Sequence, residues 1–101
     1  MKNLYPLVAL AAGKVSLARG DETAALEQFA RAEADAMSMG MLPLIWQSRA
    51  GAAKALTALG QPEAAEAKRR EALAVVDEIA NLFQDHKMRE MFIESARKRM
   101  E

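Results

Sequence analysis

Laid over itself with a shift of 40 residues, the sequence matches at its small residues. Gly20 falls on Gly60, Ala24-Ala25 on Ala64-Ala65, and Ala32 on Ala72. Ala12 and Gly13 fall on Ala52 and Ala53, and Lys14 falls on Lys54. A repeat of this length is one supersecondary unit, which buries its apolar face by stacking on a neighbour. The chain therefore holds two copies of one unit, and the residues left over have to close the stack.

The unit is helical. Hydrophobic residues make up 51% of the chain but aromatics only 5%. Much of the apolar content is alanine, the best helix former. β-branched residues are sparse, which argues against a sheet. Punctuation by glycine and proline divides the chain into five helices. The first spans about residues 4–19, with Pro6 in its first turn and Gly20 as its stop. Asp21 is a good N-cap for the second, about 22–38, which Gly40 ends. Pro43 opens the third, about 42–59, and Gly60 closes it. Pro62 opens the fourth, about 62–83, and Asp85 caps a fifth, about 86–100.

The expected fold is all-α: two antiparallel helix–turn–helix repeats, 4–39 and 42–83, plus a C-terminal capping helix, in a single domain over 1–101. The helical spacing puts Leu7, Leu10, Ala11, Val15 and Ala18 on the buried side of the first helix. Ala25, Leu26, Phe29, Ala32 and Met37 form the stripe of the second. Ile45, Trp46, Ala50, Ala53, Leu56 and Leu59 form that of the third. Ala65, Ala72, Leu73, Val76, Ile79 and Phe83 belong to the fourth, and Met88, Met91, Phe92, Ser95 and Ala96 to the fifth.

Gly13, Gly20, Ala25, Phe29 and Ala32 together resemble the signature of the tetratricopeptide repeat. That family's unit is a helix-turn-helix with small residues where its two helices cross. Ala53, Gly60, Ala65 and Ala72 repeat the pattern, with Arg69 where an aromatic would stand. The large residue that usually opens the first helix is Ala9 in unit one and Arg49 in unit two. The family's period is about 34, so about six residues are added between units here. From Met39-Gly40-Met41 through Trp46 and Gly60 to Arg89 and Phe92, the second half also resembles the C-terminal helical-repeat region of large bacterial signalling proteins. Those proteins include cyclases, kinases and transcriptional activators.

The resemblance implies a right-handed superhelix whose first helices line a concave binding surface. Leu7, Leu10, Lys14 and Leu17 then face the groove from unit one, and Gln47, Ala50, Lys54 and Thr57 from unit two. Lys14 and Lys54 become stacked neighbours suited to an acidic or C-terminal carboxylate group. The asparagines of the chaperone-binding clamp are absent. Two snorkelling lysines are the ordinary reading of the same pair. A second surface comes from the residues themselves. Leu4, Tyr5, Leu7 and Val8 give the first helix little polar surface before Lys14, which points to a homodimer or a docking partner at that end.

The chemistry of catalysis is thinly represented. The chain has one His, one Tyr and no Cys. His86 has no His or Cys partner for a metal and reads as a solvated or capping residue. Glu63 with Glu66, and Glu90 with Glu94, are spaced as helix-surface charges rather than acid–base dyads. The glycines are isolated, so no phosphate-cradling loop exists. No catalytic, metal or cofactor site is expected.

Fourteen basic and fourteen acidic residues cancel, which argues against a polyanion-binding domain. Two basic clusters, Lys68-Arg69-Arg70 and Arg97-Lys98-Arg99, keep open the alternative of a small helical regulator that contacts nucleic acid. Consecutive helix residues point about 100° apart, so neither cluster forms a face by itself. No segment reaches the length of a membrane span. The Met1-Lys2 start and apolar stretch to Gly13 fit a first helix better than a secretory leader. Lack of Cys permits the cytoplasm, the expected location. The expected partner is another protein or peptide, or a second copy of the chain.

Overall fold

The computed structural model describes residues 5–100, and side chains from residue 6. Five α-helices follow one another: α1 Tyr5–Ala18, α2 Glu22–Met39, α3 Leu42–Ala58, α4 Pro62–Ala80 and α5 His86–Met100. No strand occurs among the described residues. The fold is all-α.

The first three connections close in the same way. The amide of Asp21 donates to the Ser16 carbonyl at 2.9 Å, and that of Gly20 to Leu17 at 3.1 Å. Met41 and Gln61 donate to Ala36 and Leu56 at the matching places. Each is the double-bonded end of a helix that turns through a left-handed residue. Gly20, Gly40 and Gly60 supply that residue, with φ of 81°, 65° and 77°. The Asp21 side chain accepts from the Ala24 amide at 3.2 Å, and its position reverses the chain into α2.

So tight a set of turns makes sequential neighbours pack. α1 lies on α2, α2 on α3 and α3 on α4, while α1 also meets α3 and α5 rests on α4 and α3. Ala25, Ala32, Ala65 and Ala72 are all buried to 2% exposure or less. With only a methyl group between them, the helix axes come close. Phe29 fills the crossing of three helices: a Cβ added at Gly13 of α1 would stand 2.7 Å from its ring, and one at Gly51 of α3, 2.5 Å.

The structure redraws several details of the expected stripes. Met37, placed in the core of α2, is 54% exposed. Its sulfur lies 3.8 Å from the Arg49 guanidinium. Leu7, Ala11, Val15, Ala18 and Leu59 also point outward, as do Met88, Met91 and Ser95 on α5. These helices bury narrower faces than the apolar spacing suggests, because alanine fills the crossings.

α4 ends at Ala80, not at Phe83. The Arg89 side chain donates to the carbonyls of Ala80 at 3.1 Å and Phe83 at 2.8 Å. Phe83 turns out of the helix to meet Phe92 of α5, ring centroids 5.6 Å apart. Asp85 then caps α5 by accepting from the amides of Lys87 and Met88.

Candidate functional site

A groove of about 700 Å³ opens between α1, α3 and α5. Lys14 and Leu17 line it from α1, and Trp46, Gln47, Ala50, Gly51 and Lys54 from α3. Phe29 contributes from beneath, and Lys98 and Arg99 close the side formed by α5. Trp46 and Phe29 are buried, so their edges form part of a floor rather than a rim. Lys14, Lys54, Lys98 and Arg99 are exposed.

Four cations thus surround an apolar floor, and no acidic residue is among the lining. Among the described residues, none of the four has a carboxylate within salt-bridge distance. Uncompensated like charges around a concave, low-dielectric surface focus a positive potential into it. Such a groove favours an anionic ligand that also carries apolar surface. Its size is that of an ordinary ligand cleft. Arg97, Lys98 and Arg99 also sit in the last turn of α5, where cations offset the negative end of the helix.

Of the residues assigned to the concave face from sequence, Lys14, Leu17, Gln47, Ala50 and Lys54 meet in this groove. Leu10 sits in the core at 4% exposure. Thr57 is exposed beyond the lining, and its hydroxyl donates to the Ala53 carbonyl at 3.0 Å. Of the apolar set, Leu7 and Val8 are exposed at 48% and 63%. Leu4 and the Tyr5 side chain lie outside the described residues.

Sequence reasoning did not bring Lys98 and Arg99 to the groove. The signal was present in another register. Lys54 is the thirteenth residue of α3, counted from Leu42, and Lys98 the thirteenth of α5, counted from His86. The long α4–α5 connection breaks the 40-residue shift, which would have paired Lys54 with Glu94. α5 therefore walls the groove as well as capping the stack.

The other basic cluster is tied down within the fold. Glu33 of α2 accepts from Arg49 Nε of α3 at 2.7 Å and from Lys68 Nζ of α4 at 3.1 Å. Burial alone would raise the Glu33 carboxyl, but the hydrogen bonds and charges of Arg49 and Lys68 outweigh it and hold the group below its ordinary value. Glu71 stands 3.5 Å from Lys68, and Arg69 and Arg70 both pair with Glu66. His86 is exposed and lies 3.0 Å from Glu90 on the same helix.

Among the described residues no group of three or more His, Cys, Asp or Glu is placed to hold a metal ion. No helix there is long and apolar enough to cross a membrane. The fold and groove define a small all-α protein with a cationic cleft. Comparison with family models, with curated proteins and with solved structures gives no match for this chain.

Proposed function

We propose that the chain is a non-catalytic interaction module of tetratricopeptide type, cytoplasmic, which takes an acidic segment of a partner protein into the groove between α1, α3 and α5. The observation that carries this reading is the groove's composition: Lys14, Lys54, Lys98 and Arg99 around an apolar floor, with no acid in the lining. Repeat arrays present the first helices of successive units along one binding surface. Here α1, α3 and α5 hold that relation to the groove. An extended chain suits an open cleft, its carboxylates meeting the cations and its apolar side chains meeting Leu17, Ala50 and the edge of Trp46.

The nucleic-acid alternative draws on the same four cations but loses Lys68, Arg69 and Arg70, which are paired internally. Trp46 is the chain's single tryptophan and lines the groove, so its emission reports occupancy directly. Titration with a short peptide of alternating glutamate and leucine is expected to shift Trp46 emission, with affinity falling as salt rises. Lys54→Glu/Lys98→Glu is expected to weaken binding at least tenfold, about 1.4 kcal/mol. Unchanged emission at millimolar peptide would defeat the reading. Tighter binding of a single-stranded oligonucleotide than of the peptide would move it to nucleic acid.

A further inference from the structure

α1 differs from the other helices in its outer face. Lys14 is the only charged residue between Tyr5 and Ala18, whereas α2 carries Glu22, Glu27, Arg31, Glu33 and Asp35. The inner side of α1 is used up: Pro6, Ala9, Leu10 and Gly13 are buried. At about 100° per residue, the face opposite Gly13 is made of Val8, Ala11, Val15 and Ala18. All four are exposed, Val8 at 63% and Val15 at 50%.

Their steps of three, four and three residues are those of a helix-packing seam, with β-branched residues alternating with small ones. Lone exposed apolar residues need no explanation. A continuous seam without charge along one helix does.

The spacing reads the same in both directions. Place a second α1 antiparallel across the seam, with the two-fold axis at the level of Gly13. Val8 then faces the other copy's Ala18, and Ala11 faces its Val15. Each larger side chain meets a methyl group, so the two helices can approach closely along the whole seam. The four seam residues carry no charge, and Lys14 at the edge of the seam and Arg31 beside Val8 are both exposed, so their charged ends can stay in water. A face that complements itself in this way suits an isologous two-fold contact.

Another exposed apolar group, Leu82, Met88 and Met91, is interleaved with His86, Lys87, Glu90 and Glu94. Packing the seam against it would take charged side chains out of water. We infer that the outer face of α1 pairs antiparallel with α1 of a second copy, through Val8, Ala11, Val15 and Ala18. Four side chains make a small interface, so the dimer is weak and is sought up to roughly 1 mM, the weak end of specific affinity.

The chain has no cysteine, which makes cross-linking a clean test of register. In the double variant Val8→Cys/Ala18→Cys, each cysteine faces its counterpart across the axis. Along one helix the two lie about 15 Å apart, too far for a bridge within the chain. Mild oxidation is expected to yield a covalent dimer from the double variant and little from Val8→Cys alone. Light scattering of the unmodified chain is expected to show mass rising with concentration from 11.0 kDa towards twice that value. Ala11→Glu is expected to hold it at monomer mass with unchanged helical circular dichroism. The inference fails if the mass stays at 11.0 kDa throughout that range or climbs beyond a dimer. It also fails if Val8→Cys alone cross-links as well as the pair, or if Ala11→Glu still dimerises.

Discussion

Gly13 and Gly51 approach the Phe29 ring from two different helices, and neither position has room for a methyl group. Glycine inside a helix costs about 0.5–1 kcal/mol relative to alanine. Propensity alone therefore predicts that Gly51→Ala stabilises α3. A Cβ there would stand 2.5 Å from Cε1 of a ring that is 1% exposed and also packs against Gly13 of α1. Overpacking of that kind costs about 1–3 kcal/mol, so the sign reverses. Gly51→Ala is expected to lower stability in urea melts by about 1–2 kcal/mol. Adding Phe29→Leu is expected to recover part of that loss, so the pair costs less than the sum of its singles. Gly13 was legible as a crossing residue because it belongs to the repeated small-residue pattern. Gly51 was not, since it falls outside the apolar stripe of the third helix and the shift of 40 lays it on an alanine, Ala11, rather than a glycine. Its role comes from the neighbouring helix, which no local pattern encodes.

At the level of elements, the five helices and their first three turns were legible because glycine and proline mark them. The end of α4 carries no such mark. Ala80 is its last residue because Arg89, nine residues on, takes the carbonyls of Ala80 and Phe83. Tertiary contact sets that boundary. The Glu33 tie is equally invisible from the chain, since it joins α2, α3 and α4 across separations of 16 and 35 residues. Its pH dependence follows from the sign of the shift. Despite burial, Arg49 and Lys68 lower the carboxyl below 4.5, so the folded chain takes up this proton less readily than the unfolded one. The stabilisation is complete above the ordinary carboxylate range and is lost as pH falls through the lowered value of Glu33. Glu33→Gln is expected to cost about 1–3 kcal/mol at neutral pH. In denaturant melts over a pH series, its deficit against the parent is expected to shrink as the solution becomes acid. A deficit that is constant with pH would mean that the ion pairs contribute nothing beyond packing.

For the molecule as a whole, α1 serves two surfaces at once. Lys14 and Leu17 face the groove, while Val8, Ala11, Val15 and Ala18 face away from the core. The groove was half legible, because the repeat brings Lys14 and Lys54 into one register. The share contributed by α5 needed the length of the connection before it. If the two surfaces are distinct, disabling one leaves the other intact. Lys54 and Lys98 lie on α3 and α5, away from the seam, so Lys54→Glu/Lys98→Glu is expected to abolish peptide binding without changing mass in light scattering. Ala11→Glu is expected to abolish the dimer while changing the peptide affinity measured by Trp46 emission less than twofold, under about 0.5 kcal/mol. Lys14 alone sits on the edge between the surfaces, about 80° round the helix from the centre of the seam. In the antiparallel dimer the two copies carry Lys14 on the same side, near the axis. Lys14→Gln is therefore the one groove variant expected to alter both properties. It weakens the peptide, and it removes the like-charge pair near the axis, so the dimer tightens and responds less to salt. Loss of both properties on Lys54→Glu/Lys98→Glu would show a single coupled surface instead.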